Sequence, residues 1–414
     1  MNDDSSNLSR RDLLKAGGML AIGLTAPSWL SALARADVIR AGAGGINSNT
    51  TLVVVQLTGG NDGLNTVIPF AQSEYYKLRP SLALPEQQTL KLNDELALHP
   101  ALAGLHSLYQ QKKVAIIQGV GYPNPNRSHF KSMEIWQSAS PEGRMRYGWV
   151  GRHFDQQMAR GTLNPVVALG LSTEKPRALE GAQASIPCFA SLVDIQSMIG
   201  DADAEQQLRR IQGTNTDPNA RVVQQANKSA LDAMKELQGR LAQVQPRGSY
   251  GSDAFGAGFR QIAHLVAASP QTRLIYFSAG GFDTHARQAE QHQRLLQGFS
   301  DAATTFQQEM EQIGASKRVL VLVFSEFGRR AYQNGSAGTD HGAAAPMFLI
   351  GDAVKPGLHG PNPDLSKLQQ GDIPFSIDFR SVYAATIDHW LEGDSATVLG
   401  GEFRSLNPVA QAKS

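Results

Sequence analysis

Four stretches of the chain are apolar without interruption: 51–58 (TLVVVQLT), 114–120 (VAIIQGV), 273–278 (RLIYFS) and 318–325 (RVLVLVFS). Continuous rather than alternating apolar runs mark strands covered on both faces, the habit of parallel sheets. A fifth run, 346–350 (PMFLI), is shorter. Between the runs apolar residues recur at helical spacing, over 98–111 before the second run and over 284–313 between the third and fourth. Strand alternating with helix predicts an α/β fold, a doubly wound and mostly parallel sheet with helices on both faces. The stretch 201–244 breaks the rhythm. It is rich in Gln, Ala, Arg and Lys, and Leu231, Met234, Leu237 and Leu241 fit one helical face. It reads as a helical insertion at about 200–246, either a cap beside the sheet or a solvated arm.

The N-terminus obeys different rules. Ser9-Arg10-Arg11-Asp12-Leu13-Leu14-Lys15 sets paired arginines in a polar segment, and a Gly/Ala-rich stretch from 16 to 26 follows, too short to span a bilayer. Ala34-Arg35-Ala36 offers a small-x-small cleavage pattern before Asp37. Residues 1–36 therefore read as a twin-arginine signal peptide, with the Tat translocase and signal peptidase as export partners and a periplasmic or secreted destination. Residues 37–414 remain as a single α/β domain. One cysteine, Cys188, excludes an internal disulfide, and its apolar setting suits buried filler. A net charge of +1 with 18% charged residues gives no electrostatic case for nucleic acid, and no later apolar run reaches membrane-spanning length.

Polar residues of ligand type follow each long apolar run. Gly59-Gly60-Asn61-Asp62-Gly63-Leu64-Asn65 follows the first, Asn124-Pro125-Asn126-Arg127-Ser128-His129 the second, Gly280-Gly281-Phe282-Asp283-Thr284-His285 the third, and Glu326-Phe327-Gly328-Arg329-Arg330 the fourth. Gly338-Thr339-Asp340-His341-Gly342 precedes the fifth. Parallel strands bring their C-terminal ends to one edge, so these loops can share a site. Asp or Asn beside Gly is ordinary turn chemistry when alone; several such loops together point to a ligand site. Asp62, Asp283, Glu326 and Asp340 offer oxygens, and His285 and His341 offer nitrogens, a set suited to a divalent metal: zinc first, then manganese, magnesium or calcium. Ser128 opens a helical pattern (SHFKSMEIWQS, 128–138) and is either its N-cap or a nucleophile beside unpaired N–H groups. Arg127 and His129 flank it as candidate charge and proton donors, and Arg329 is a second candidate for oxyanion charge.

The segments QLTGGNDGLNTVIPF, LHPAL, NPNRSHFKSMEIWQSA, GGFDTH, SEFGRR and TDHGAAAPMFLIG resemble domain-of-unknown-function family 1501 over nearly the whole chain. These are Tat-exported bacterial proteins related in fold to alkaline phosphatases and sulfatases. The resemblance implies hydrolysis of phosphate or sulfate esters with one or two divalent metals and a Ser, Thr or Cys nucleophile. It casts Asp62 as the first-strand aspartate of the second metal and Ser128 as the nucleophile. Asp283 and His285 resemble the acid and histidine of one metal site, though more closely spaced than usual, and His341 resembles the last histidine ligand. Glu326 falls where an Asp-His pair closes the second site, with Phe327 in the histidine's place. That site then lacks a ligand unless Asp340 or Asn61 is recruited.

The sequence thus supports an exported metal-dependent hydrolase of small-molecule or glycan esters. The rival is a non-catalytic relative that keeps the fold and binds a glycan, a lipid or a partner protein. Fold alone does not carry the activity across.

Overall fold

A computed structural model describes residues 49–160, 166–184, 186–194, 232–403 and 406–410. The signal segment 1–36 and positions 201–231 of the helical insertion lie outside the described residues. Among the described residues twelve strands run in chain order: β1 Thr51–Leu57, β2 Val67–Ile68, β3 Leu90–Lys91, β4 Ala97–Leu98, β5 Val114–Gly121, β6 Ala168–Leu171, β7 Cys188–Phe189, β8 Leu274–Ala279, β9 Val319–Phe324, β10 Ala345–Ile350, β11 Gly357–His359 and β12 Ile377–Asp378. Nine form the main sheet in the order β11-β5-β10-β9-β1-β8-β6-β7, with β12 also paired to β5; β2, β4 and β3 make a small antiparallel sheet.

β1 is the centre of the sheet, parallel to β8 on one side and β9 on the other. Its seven residues are all buried, as the uninterrupted apolar run requires. Alternate side chains enter two cores. Val53, Val55 and Leu57, with Ile275, Phe277, Val321 and Val323, pack in one core with residues of the Ala103–Gln110, Ala254–Ala268 and Gln288–Gln312 helices. Leu52, Val54, Tyr276, Leu320 and Leu322 share the other with residues of the His129–Ser138, Trp149–Arg160 and Phe379–His389 helices. The sheet is therefore clothed by helices on both faces. Each buried aliphatic contributes on the order of 1.5–3 kcal/mol. Met234, Leu237 and Leu241 of the helix at 232–243 join the first core, so this part of the insertion packs as a layer of the fold rather than as a solvated arm.

One strand departs from the parallel pattern. β10, the fifth apolar run, is antiparallel to both β9 and β5. This matters for the site: the loop before β10 now lies at the edge where β1, β5, β8 and β9 end.

A candidate metal centre at the sheet edge

Two glycines let the loops at this edge meet. Gly59, with φ +118°, lies so close to the next loop that a Cβ there would sit 2.5 Å from the amide nitrogen of Asp283. A Cβ on Gly60, with φ +77°, would sit 2.3 Å from the ring of Phe327. Only glycine combines that backbone with that approach. Arg329 then ties the loops together from below. Its side chain is fully buried, and it donates from Nε to the carbonyl of Gly60 at 2.7 Å and from Nη1 to that of Thr339 at 2.7 Å. Its Nη2 donates to the carbonyls of Gly59 and of Phe282, and to Oδ1 of Asp283 at 2.8 Å.

Oδ1 of Asp283 is the focus of three imidazoles. Nε2 of His285 lies 3.0 Å away, Nε2 of His341 3.1 Å and Nε2 of His129 3.4 Å. His129, Asp283 and His341 each place a ligand atom within 4.8 Å of the other two, and His285 joins them with its Nε2 2.9 Å from that of His341. The far nitrogen of every ring is held by an oxygen: Nδ1 of His129 by Glu326 at 2.8 Å, of His285 by Asp340 at 3.2 Å, and of His341 by the Arg127 carbonyl at 2.7 Å. A carbonyl only accepts. Asp340 also accepts, because the hydrogen bond from Asn334 lowers its pKa and keeps it ionised. The Nδ1 atoms of His285 and His341 must therefore be the donors. In neutral rings both Nε2 atoms are then lone pairs, facing each other and a carboxylate. Arg329 reaches the carboxylate but neither ring, so the two lone pairs are left without a donor, a gap that a proton or a metal ion would fill.

The charges of Asp283 and His341 agree with that reading. Partial burial works to raise the pKa of Asp283, but the hydrogen bond and positive charge of Arg329 outweigh it and hold the carboxyl down at about 2. Burial lowers the pKa of His341 and favours its neutral form. The hydrogen bond that His129 donates to Glu326 raises its pKa and favours the protonated ring. Nε2 of His129 is buried and has no hydrogen-bond partner.

His129 owes its position to the helix it begins. Trp136 of that helix stacks between Phe324 of β9, with centroids 5.3 Å apart, and Phe379, at 4.4 Å. Ser132 donates to the carbonyl of Glu326, the residue whose carboxylate holds His129. Ser128 is the N-cap residue, exposed, and its hydroxyl makes no capping hydrogen bond. Phe327 packs against the rings of His129 and His341 at 4.9 and 4.7 Å, an apolar wall where the family resemblance suggested a histidine.

The remaining sequence candidates fall around this cluster rather than in it. Glu326 and Asp340 hold imidazoles from behind, as outer partners of ligating histidines do. Arg127 is ion-paired to Asp372, with Nε 3.1 Å from Oδ2, and a third of its side chain is exposed. Arg329 has no exposed surface with which to meet a ligand, so it serves to hold Asp283. Asp62 is buried in an ion pair with Arg79 at 2.5 Å and accepts from Gln288 as well. Asn61 is engaged by His292 at 2.9 Å and Thr66 at 3.0 Å. Burial raises the Cys188 thiol, which is half-buried in β7. Reasoning from sequence missed Arg79 altogether and gave His129 proton transfer rather than a place among the ligands. The Ser-His pair following a buried strand was the available signal.

Three imidazole nitrogens and a carboxylate form a donor set suited to zinc and related ions. A tetrahedral ion with ligands at about 2.0–2.2 Å sets its ligand–ligand edges near roughly 3.3–3.6 Å. The 3.4 Å contact of His129 with Asp283 matches, the contacts of 2.9–3.1 Å among Asp283, His285 and His341 need to open by a few tenths of an ångström, and His129 and His341 lie within 4.8 Å of each other.

The fold and this cluster define an α/β protein with a candidate metal centre at the strand-end edge of its sheet. Residues 49–399 match the family described as Protein of unknown function (DUF1501), and the chain belongs to that family. No curated protein matches it significantly. Among solved structures, the C-terminal periplasmic domain of EcEptC from Escherichia coli, in complex with Zn, is similar with a TM-score of 0.36 and 7% identity, covering 74% of each chain. Ps i-CgsB in complex with k-i-k-neocarrahexaose gives 0.40 and 9%, over 88% of this chain and 74% of the other. The phosphonate monoester hydrolase SpPMH from Silicibacter pomeroyi gives 0.35 and 9%, over 89% and 77%. Likenesses this remote say nothing about chemistry.

Proposed function

We propose that this protein is an exported hydrolase of phosphate or sulfate esters, with one divalent metal, zinc first among the candidates, and Ser128 as nucleophile. The observation that carries the reading is the convergence of three histidine Nε2 atoms on Asp283, each ring held at Nδ1 by an oxygen. His129, Asp283, His285 and His341 would hold the ion. When bound, it supplies Lewis acidity that polarises the ester and favours the ionised serine hydroxyl.

The chain's own residues do the positioning. Glu326, Asp340 and the Arg127 carbonyl fix the three rings, and Arg329 fixes Asp283. Ser128 adjoins His129 at the start of its helix, where free N–H groups favour a developing negative charge. The side chain of Arg127, ion-paired with Asp372, offers its remaining guanidinium N–H donors beside the serine. Attack by the Ser128 oxygen on phosphorus or sulfur forms a serine ester and expels the alcohol, and water then cleaves the serine ester. The paired arginines of residues 10–11 support export through the twin-arginine route. Among the described residues, no helix is long and apolar enough to cross a membrane.

A non-catalytic binding role is favoured by Phe327, which occupies a position that could have carried a further ligand. Protein purified from the periplasm separates the two readings. The enzyme retains about one divalent ion per chain and turns over an aryl phosphate, phosphodiester or aryl sulfate, with loss of activity on chelation. Retained metal without turnover across that panel supports the binding role, and failure to bind zinc, manganese, magnesium or calcium overturns the metal centre.

A further inference from the structure

Beside the histidine cluster the sheet edge carries a cleft of about 500 Å³. We propose that it binds the uncharged, hydroxyl-bearing part of the ester, a sugar or polyol; as a substrate class, this rests on the hydrolase reading above. One wall is a face of the His129–Ser138 helix, where Phe130, Met133, Glu134 and Gln137 recur at helical spacing. The other is the loop from Ser172 to Arg177, and Gln56, Thr58 and Ser278 at the ends of β1 and β8 complete the lining. Cleft and cluster are continuous through the chain. Phe130 follows His129, and Thr58 precedes Gly59, whose N–H donates to Glu326 at 2.8 Å.

Three observations select the ligand. The first is charge: the lining has two carboxylates, Glu134 and Glu174, against two cations, Lys175 and Arg177, and Arg177 meets Glu134 at 2.6 Å. A balanced lining offers no net attraction to an ionic group. The second is an open hydrogen bond. Gln56 is 1% exposed, and its Oε1 accepts from Tyr276 at 2.6 Å and from Gln137 at 3.0 Å, yet its Nε2 has no partner. A buried amide N–H₂ left unpaired beneath a cleft is costly, and a small shift of the Gln56 side chain would bring it to an acceptor on the ligand. With the hydroxyls of Thr58, Ser172, Thr173 and Ser278, the lining offers both donors and acceptors, as a ligand hydroxyl does. The third is Phe130, 85% exposed at the cleft and the most exposed of the four large apolar residues that the described residues leave at the surface. A flat apolar ring beside hydroxyls and amides suits the C–H face of a sugar.

The test is binding of neutral disaccharides, cellobiose, maltose and lactose, to the purified protein by saturation-transfer NMR and calorimetry. Binding by wild type is expected, with a loss of about five- to tenfold in Phe130→Ala and little loss in Phe130→Trp. Because Phe130 is exposed, both variants should keep the wild-type melting temperature and metal content, so weaker binding would not reflect misfolding. No binding of any disaccharide by wild type, equal binding by Phe130→Ala, or stronger binding of hexanol than of every sugar overturns the proposal. These probes carry no ester. A failure of the hydrolase reading therefore appears separately, as sugar binding without ester turnover.

Discussion

Asp62 and Arg79 form an ion pair at 2.5 Å in which neither side chain has more than 1% of its surface exposed. Burial alone would raise the carboxyl's pKa, but the guanidinium outweighs it and keeps Asp62 ionised below the usual carboxylate range. The aspartate after the first strand thus has a protein cation as its partner. Asp62→Asn should leave a buried arginine unpaired and cost about 3–5 kcal/mol in urea unfolding. Its metal content should stay at the wild-type level while that of Asp283→Asn collapses. Equal metal loss in the two variants would make Asp62 a ligand after all.

Behind that pair lie two buried histidines that should make the protein sensitive to acid. Burial lowers the pKa of both His292 and His99 from 6.5 to about 4. The folded state therefore holds them neutral where the unfolded chain has begun to take up protons. Their stabilising contribution is complete above pH 6.5, declines as the pH falls toward 4, and levels off below. For His292 the full change is on the order of 3 kcal/mol. Urea midpoints measured across this range should fall for wild type and fall less for His292→Gln, with His99 supplying the remaining slope. Parallel curves for the two proteins would assign the acid sensitivity elsewhere.

Much of this architecture is legible in the sequence, and the losses have physical causes. The long strands could be read because burial on both faces writes an unbroken apolar run. The two-residue strands β7 and β12 are too short to leave any pattern. The direction of β10 was hidden as well, since a buried strand has the same composition whether it runs parallel or antiparallel. Yet that direction is what brings His341 to Asp283. Residue types pointed to a candidate metal-binding edge, but the division of labour within it depends on distance. Asp283 and Asp340 look alike as Asp near His, and only their partners separate a candidate ligand from a residue that steers His285.

Gly59 tests how far the centre depends on close backbone approach. Gly59→Ala would force a Cβ to 2.5 Å from a backbone nitrogen, in a conformation that already strains any side chain. Since that nitrogen belongs to Asp283, the loop must retreat and carry its carboxylate with it. A stability loss of about 1–3 kcal/mol is expected, together with a weaker zinc affinity in competition with a chelator. Wild-type affinity in a destabilised Gly59→Ala protein would show that the cluster tolerates movement of this loop.

Ser128→Ala addresses the chemistry itself. Read from sequence, the serine was both a helix cap and a nucleophile, and loss of a cap costs about 0.5–2 kcal/mol. In the structure the hydroxyl makes no capping hydrogen bond, and the side chain is exposed. Removing it should therefore change stability by less than about 0.5 kcal/mol, as for other exposed sites. The residue next to it, His129, is anchored independently through Glu326 and Trp136, so metal content should also be unchanged. Those two controls isolate the hydroxyl's role in turnover. If Ser128 attacks the ester, the alanine protein is a folded, metal-loaded chain that leaves aryl phosphate and aryl sulfate intact, and it forms no serine ester detectable by mass spectrometry after rapid quenching. Full turnover by Ser128→Ala would remove the serine from the mechanism and make water the attacking group.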